Sequence, residues 1–486
     1  MDPLESISPI DGRYRKYTEP LAKIFSEAGL MRYRVMVEVE YFISLLEHPA
    51  ISTGVMTKHN TPEEKSLIRN IITEFSLDDA KLIQDIEWKG YKDIPATNHD
   101  VKAIEYFLKE KLREISELQK EHSHILENVR MSSLEDCFEY LHFALTSEDT
   151  NNIAYALMLS DGISNVLLPL LGNVAAALKR LAMEHKDLPM LARTHGQPAS
   201  PTTFGKEFKV FETRLERQIE QLRNFKILAK LNGATGNYNA HTAAYPNVDW
   251  IQFTKDFIEK LNKGRAISLE PNLITTQIEP HDSYAELFDL LRRVNVILIG
   301  FDQDIWRYIS DGWIAQKTVA GEVGSSTMPH KVNPIKFENS EGNLGIANAL
   351  FGYFSSKLPI SRLQRDLSDS TVERNFGVAF AHSVVGYSSL LGGLEKIKID
   401  EERVKRELNR HPEVIAEAIQ TILRREGVAM PYERLKELTR GAEMTLESMR
   451  AFIETLDLKS EVKQELLRLT PENYFGLASK LAHGEF

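Results

Sequence analysis

The chain has 486 residues, of which 59 are Lys or Arg and 70 are Asp or Glu, for a formal net charge of -11. This length exceeds one average hydrophobic core and predicts roughly two to four domains. An acidic chain repels nucleic acid and anionic membranes, so we expect neither as a partner, and an anionic substrate would need a local basic cluster. Cys137 is the only cysteine, which excludes an intrachain disulfide and favours a reducing, cytoplasmic location.

Long amphipathic helices are predicted along most of the chain. The amino terminus has neither a cationic start nor an apolar stretch, so no secretory signal is expected. Apolar residues recur at three- and four-residue intervals over 203–231 and 285–309. The uncharged run 376–394 contains His382 and four glycines, which makes it too polar for a membrane span and predicts a buried helix. Strand-like alternation is hard to find, so the predicted fold class is all-α.

Two charge-rich stretches, near 110–135 and 396–406, predict transitions between domains. They divide the chain into an N-terminal helical domain (1–135), a central long-helix bundle (136–394) and a C-terminal helical domain (395–486). Long helices must be covered on more than one face, because tertiary packing rather than propensity stabilises them in water. A bundle shared between subunits would provide this cover.

The segment with the most chemistry is 324–334, which reads Gly-Ser-Ser-Thr-Met-Pro-His-Lys-Val-Asn-Pro. Ser325 or Ser326 could carry a proton only if its alkoxide were stabilised, and Lys331 with nearby backbone amides is a suitable partner. The same residue types are also usual in a solvent-exposed turn for purely conformational reasons.

A second segment, 193–201, interrupts two helical stretches with small and rigid residues. His195 within it is a candidate acid or base, because imidazole titrates close to working pH. Gly196 and Gln197 suit close approach to a ligand, although a lone histidine in a loop is commonly structural or solvated.

Residues 146–152 read Thr-Ser-Glu-Asp-Thr-Asn-Asn and precede an apolar helix predicted to begin near Ile153. Hydroxyls followed by acids are typical of a helix N-terminus, through capping and the helix dipole. Such an N-terminus also presents free N–H groups that bind a carboxylate or phosphate. The two interpretations are compatible.

Phosphate recognition needs guanidinium forks and hydroxyls, and residues 362–374 supply them at close spacing. Arg13 offers another fork near the amino terminus. The alternative is a row of surface arginines balanced by acids of the same segment. Residues 98–100 and 275–282 are polar clusters of equally ambiguous meaning. The histidines of these segments lack the short spacings of zinc ligands, so no metal site is expected.

Taken together, these segments resemble the fumarase/aspartase superfamily, whose members release fumarate by β-elimination. Residues 324–334 are similar to its signature loop. Within the superfamily the chain resembles the adenylosuccinate lyase family in its longer bacterial form, through residues 11–14, 146–152, 193–201, 233–241, 275–282 and 431–441. The resemblance covers nearly the whole chain and thins at 48–95 and 112–135.

This resemblance implies a three-domain, mostly helical protomer that assembles as a homotetramer, with each active site drawing on three chains. It also implies cleavage of a small-molecule nucleotide, adenylosuccinate, to AMP and fumarate, and the matching cleavage of the succinyl-aminoimidazole carboxamide ribotide in purine biosynthesis. Neither reaction needs a cofactor.

By the same resemblance Ser325 is the base and His195 the acid, although chemistry alone does not choose between Ser325 and Ser326. Removing a hydrogen next to a carboxylate leaves a dianion that demands donors and cations. The remaining implied residues bind substrate: Ser326, Lys331 and Asn333 the succinyl part, Thr146 and Ser147 a carboxylate, Arg13, Tyr14, Ser370 and Arg374 the phosphate, Asn98, His99 and Asp100 the ribotide side, and Gln277, Asn339 and Arg365 other parts.

Two alternatives to this activity remain. Another fumarate-releasing enzyme, such as an argininosuccinate lyase, shares the same base loop, but its substrate has no phosphate for the arginines to bind. A non-catalytic structural relative on the same fold would tolerate loss of the acid or the base, whereas this chain retains both.

Overall fold

Helices make up most of the molecule. The computed structural model describes residues 3–54, 56–123, 134–317, 328, 331–433 and 444–484. The α-helices of these residues are α1 (Arg15–Phe25), α2 (Glu27–Glu47), α3 (Pro62–Thr73), α4 (Leu77–Trp88), α5 (Asp100–Ser123), α6 (Ser147–Gly162), α7 (Leu168–Glu184), α8 (Phe204–Arg223), α9 (Asn239–Ala244), α10 (Trp250–Leu261), α11 (Asp282–Ser310), α12 (Ile335–Lys357), α13 (Ser368–Glu373), α14 (Phe376–Leu394), α15 (Glu401–Asn409), α16 (Ala416–Arg425), α17 (Leu446–Thr455), α18 (Ser460–Leu467) and α19 (Ala478–His483). The predicted all-α class is confirmed.

Within the described residues, short strands that the sequence did not predict pair in three places. They are β1 (Pro189–Thr194), β2 (Gln197–Thr203), β3 (Lys226–Ala229), β4 (Ser268–Pro271), β5 (Ile314–Gln316) and β6 (Ile397–Ile399). β1 and β2 form an antiparallel hairpin, β3 pairs in parallel with β4, and β5 pairs antiparallel with β6. The predicted loop 193–201 is therefore largely the end of a hairpin.

The predicted long helices are present, with differences at their ends. The periodic run 285–309 lies within α11, and the uncharged run corresponds to α14. The run 203–231 was predicted too long, because α8 ends at Arg223 and the following Ile-Leu-Ala stretch pairs as β3. The helix predicted near Ile153 begins six residues earlier, at Ser147.

Two helical stretches are long and apolar enough to cross a membrane, by length and composition alone. They are Ser147–Glu184, in which a π-helical turn joins α6 to α7, and Ser368–Leu394. In the second stretch 72% of the apolar window is buried inside the protein. Core helices of soluble proteins pass the same test, so these stretches are weak evidence for a membrane span, and the predicted buried helix is confirmed.

The first of two compact units comprises Met1–Leu170, Ile219–Asn295 and Asn343–Val385. Part of its core is an aromatic cluster around the buried Phe288 of α11. The ring centroid of Phe288 lies 5.5, 5.4 and 4.9 Å from those of Phe351, Phe354 and Phe376. This packing joins the apolar faces of α11, α12 and α14 into one core.

The second unit comprises Leu171–Gln218, Val296–Gly342 and Gly386–Phe486. Here Phe204, at the start of α8, packs against Tyr308 and Trp313 with centroid distances of 5.4 and 6.5 Å. Both units are discontinuous in sequence. The division into domains 1–135, 136–394 and 395–486 follows chain order and stays a prediction.

Candidate active site

Site residues predicted from distant segments meet in the first unit at Arg374. Its guanidinium donates to the two carboxylate oxygens of Glu27 at 2.6 and 2.7 Å and to Asp100 Oδ2 at 2.9 Å. Asp100 also accepts a hydrogen bond from the buried Arg34 at 2.7 Å. Burial opposes ionisation of Asp100, but the two arginines outweigh it and lower its pKa. Asp100 therefore positions Arg374, the implied phosphate ligand.

Arg365 belongs to the same predicted polar segment and has a distant partner. Its Nη1 donates to Glu148 Oε2 at 2.7 Å. Glu148 follows Ser147 in α6 and is 1% exposed. Burial and the negative charge of Glu373 raise the pKa of Glu148 to about 7, although Arg365 opposes the rise. This carboxyl therefore exchanges its proton close to neutral pH, at the start of the helix that carries Ser147.

A buried histidine and glutamate lie next to this pair. His281 Nε2 is 3.3 Å from Glu373 Oε1, and the two side chains are 0% and 3% exposed. Burial lowers the pKa of His281, but the contact with Glu373 and the charges of Glu148 and Glu279 outweigh it and raise that pKa to about 9. With this raised pKa, His281 carries a positive charge at neutral pH. Because Glu373 ends α13 and precedes Arg374, the pair holds the segment that carries Ser370 and Arg374.

A fully buried ion pair connects three further segments of the predicted site. Lys230 Nζ lies 3.0 Å from Asp149 Oδ1, with both side chains 0% exposed. The same ammonium group donates to the carbonyl oxygens of Gly233 at 2.9 Å and Gln277 at 2.7 Å. Asp149 accepts in turn from the N–H groups of Asn232 and Gly233. A buried charge is tolerated when its hydrogen bonds are satisfied, as these are.

The N-terminus of α6 follows the predicted capping pattern. Thr146 precedes the helix, and its N–H donates to Asp149 Oδ2 at 2.9 Å. Ser147 Oγ lies 3.5 Å from Nε2 of His99, so the implied carboxylate-binding and ribotide-side residues are neighbours. Asn98 has a φ of 46°, a left-handed conformation that asparagine tolerates.

Gln277 joins two other predicted segments. Its Nε2 donates to the carbonyl oxygen of Ala234 at 2.9 Å, and its N–H donates to the carbonyl oxygen of Gln364 at 3.2 Å. The site segments 233–241, 275–282 and 362–374 are thereby connected.

A cavity of about 260 Å³ adjoins Arg374 in the first unit. Asp11 and Arg15 also line it, which puts Arg374 near the turn that carries Arg13 and Tyr14. Ser370 lies in α13, one turn before Arg374. The implied phosphate ligands therefore come from neighbouring parts of this unit.

The second unit carries His195 at the tip of the β1–β2 hairpin. Thr194 pairs with Gln197, so His195 and Gly196 are the two central residues of the turn. Their φ angles of 52° and 74° are both positive, as a type I′ hairpin turn requires. His195 is exposed, and its tight turn presents the imidazole at the end of a short, rigid ladder.

Lys331, Asn333 and Asn339 also belong to the second unit. Lys331 is exposed, and its N–H donates to the carbonyl oxygen of Met328 at 3.0 Å. Asn339, in the first turns of α12, donates from Nδ2 to Ser389 Oγ at 2.6 Å. The two serines named as candidate bases, Ser325 and Ser326, lie outside the described residues.

Several charged residues that organise the first unit were not predicted as site residues. Glu148, Asp149, Glu373 and His281 occur in the quoted segments, but their partners lie far away in sequence. Lys230 was not singled out at all. Its signal is a lone lysine within the apolar Ile-Leu-Ala-Lys-Leu run, where a charge demands a buried partner.

Comparison with known proteins matches nearly the whole chain. The family described as "Lyase" matches residues 12–349, and the domain described as "Adenylosuccinate lyase C-terminal" matches residues 361–475. Adenylosuccinate lyases of Vibrio cholerae and Escherichia coli K12 are each 48% identical, covering 98% of this chain and 98% and 97% of their own. That of Dictyostelium discoideum is 46% identical, with 98% and 97% covered.

Solved structures share the fold at low identity. A fumarate lyase from Mesorhizobium sp. BNC1 is 18% identical with a TM-score of 0.68, covering 96% of this chain and 98% of its own. The 3-carboxy-cis,cis-muconate lactonizing enzyme from Pseudomonas putida is 20% identical with a TM-score of 0.66, covering 96% of both. At this identity the likeness concerns the fold alone.

Proposed function

Since this chain belongs to the adenylosuccinate lyase family of the fumarase/aspartase superfamily, we propose that it cleaves adenylosuccinate to AMP and fumarate. The observation that carries the proposal is 48% identity along nearly the full length of both chains. We extend it to the succinyl-aminoimidazole carboxamide ribotide, whose scissile bond joins the same succinyl group to an amine.

In the proposed reaction Ser325 removes a proton from the succinyl carbon next to a carboxylate. The dianion that forms needs positive charge and N–H donors, which Lys331 and the surrounding loop amides supply. His195 gives a proton to the departing nitrogen, so that the carbon–nitrogen bond breaks without expelling an amide anion. The tight turn at His195 and Gly196 supports this role, because it restricts where the imidazole can lie.

The charged cluster of the first unit supports a phosphate-bearing substrate. Arg374 already contacts two carboxylates, and its guanidinium fork suits phosphate equally well. Ser370, Arg13 and Tyr14 complete the proposed phosphate site, and Asn98, His99 and Asp100 flank the ribotide. Thr146 and Ser147 receive a carboxylate at the start of α6, where the helix dipole favours negative charge.

We also propose a homotetramer in the cytoplasm, with active sites shared between chains. Apolar side chains exposed on the long helices support shared packing, since Val296 on α11 and Tyr353 on α12 are 57% and 54% exposed. Sedimentation velocity of the purified protein should give a mass close to four chains, and a stable monomer would contradict the arrangement.

Ultraviolet monitoring of adenylosuccinate with purified protein, followed by identification of fumarate, tests the activity. Ser325→Ala and His195→Ala should each lower kcat by roughly 10²–10⁴-fold, as expected for loss of a proton-transfer group. Ser326→Ala is the matched control and should retain more activity than Ser325→Ala. Absence of fumarate in a folded wild-type protein would reject the proposal, and equal loss in the two serine variants would reject the choice of base.

A further inference from the structure

Arginines converge on a cavity of about 370 Å³ in the second unit. The lining is almost wholly polar, and its charged members are Arg193, Arg403, Arg406, Arg410, Asp311 and Glu407. Four guanidinium groups against two carboxylates leave a formal surplus of two positive charges, in a chain whose net charge is -11. A concave, positively charged surface attracts small anions.

One helix supplies most of this charge. Arg403 and Arg406 lie in α15, and Arg410 caps its C-terminal end. Their spacing of three, four and seven residues places all three on the same helical face. Like charges at these spacings repel each other and destabilise an isolated helix. A bound anion would remove this repulsion.

The two carboxylates of the cavity contact basic residues other than Arg403 and Arg406. Glu407 accepts from Arg193 Nη2 at 3.0 Å and lies 3.5 Å from Arg410 Nη1. Asp311 accepts from Nε of Arg307, outside the cavity, at 3.0 Å. Across residues 3–54, 56–123, 134–317, 328, 331–433 and 444–484, neither Arg403 nor Arg406 forms an ion pair.

The guanidinium group of Arg403 lies beside the backbone of Gly312, at the wall of the cavity. A Cβ atom on Gly312 would overlap the guanidinium group of Arg403, so this group lies directly against the backbone of the turn. The φ of 72° at Gly312 also favours glycine. The Arg403 guanidinium therefore lies next to the backbone of this turn, at the wall of the cavity.

We propose that this cavity binds the phosphate group of a small anionic molecule, with Arg403 and Arg406 as the principal donors. Guanidinium forks match phosphate oxygens in a bidentate manner, and two forks on adjacent turns of a helix can hold one phosphate from two sides. All the residues belong to the second unit, and none is an implied substrate ligand. The proposal therefore does not rest on the proposed lyase reaction, although Arg193 lies two residues before His195.

Arginine labelling with phenylglyoxal, resolved by peptide mass spectrometry, tests the site directly. Inorganic phosphate should slow labelling of Arg403 and Arg406 at least fivefold compared with chloride at equal ionic strength. Arg424 of α16, an exposed arginine in the same unit, is the internal control and should label at an unchanged rate. Equal protection of all three arginines, or lack of labelling at Arg403 and Arg406 without phosphate, would overturn the proposal.

The source of the phosphate is distinguished by repeating the labelling with AMP and with fumarate. Stronger protection by AMP than by inorganic phosphate identifies a nucleotide site, whereas the reverse identifies a site for free phosphate. Protection by fumarate equal to that by either phosphate compound would contradict the phosphate assignment, since a dicarboxylate would then be bound as well.

Variants give a second, independent measurement by titration calorimetry with inorganic phosphate. The double variant Arg403→Gln/Arg406→Gln should lose one binding site per chain or weaken it at least tenfold, while Arg424→Gln should bind like the wild type. Glutamine keeps the helix propensity of α15. Cleavage of adenylosuccinate by the double variant at the wild-type KM shows that the substrate site is intact, and unchanged phosphate binding by it would refute the site.

Discussion

Replacing His281 with asparagine tests whether the buried imidazolium stabilises the protein. The backbone φ at His281 is 63°, a left-handed conformation that asparagine adopts more easily than most residues, so the main chain should tolerate the change. Asparagine keeps a polar side chain but cannot take up a proton. The substitution therefore removes the positive charge that lies 3.3 Å from Glu373.

The size of the effect follows from the pKa of His281. Burial acts to lower this pKa from 6.5, but Glu373, Glu148 and Glu279 raise it to about 9. One pKa unit is worth about 1.4 kcal/mol, so the rise corresponds to about 3 kcal/mol of folding free energy. Because the folded-state pKa is the higher one, this contribution is complete below pH 6.5 and is lost as the pH rises through about 9.

Urea unfolding of the wild type and His281→Asn from about pH 6 to about pH 10 measures this contribution. The stability difference between the two proteins should shrink by about 3 kcal/mol across that range. His241→Asn is the matched control, because burial lowers the pKa of His241 to about 4. The effect of His241 on stability changes only as the pH falls from about 7 toward 4, so the difference for His241→Asn should stay flat from about pH 7.5 to about pH 10, where that for His281→Asn changes. A flat difference for His281→Asn would refute the reasoning.

Three further results are expected. Mixing inactive His195→Ala and Ser325→Ala proteins and allowing subunit exchange should restore part of the activity, and no recovery in verified mixed tetramers would reject shared sites. Lys230→Met should destabilise the protein by about 3–5 kcal/mol in urea unfolding, because it leaves the Asp149 carboxylate buried and unpaired; Lys230→Met/Asp149→Asn should recover part of that loss. Arg374→Gln should raise KM roughly 10–100-fold with a smaller effect on kcat, since it removes a charge-assisted phosphate contact, and an unchanged KM in steady-state kinetics would exclude that contact.

Features of the fold that depend on local pattern were predictable. The apolar residues on one face of 285–309 predict a helix, and the structure has α11 over Asp282–Ser310. The capping residues of α6 were also predictable, since Thr146 and Asp149 lie within one turn, although the helix was predicted to begin six residues too late.

Features that depend on distant partners were not predictable. β3 is only four residues long and was predicted as the end of a helix. The strand that pairs with it begins about forty residues later in the chain, so no local pattern indicates the pairing. The turn at His195 has positive φ at a residue with a side chain, which a sequence pattern signals only through the following Gly196. Lys230 has partners at Asp149 and Gln277 that no local spacing connects.

The arginines of 362–374 show how burial decides between the two interpretations of one segment. Arg362 pairs with Asp366 four residues away at 3.1 Å, as the interpretation of balanced surface charges expected, and its side chain is 82% exposed. Arg365 is only 17% exposed and pairs with Glu148, which is 217 residues away. Water satisfies an exposed guanidinium, so a local partner adds little, whereas a buried one requires a carboxylate at short range wherever the fold supplies it. The interpretation as a binding segment therefore fits Arg365, whose partner is distant in sequence, whereas Arg362 fits that of a balanced surface charge.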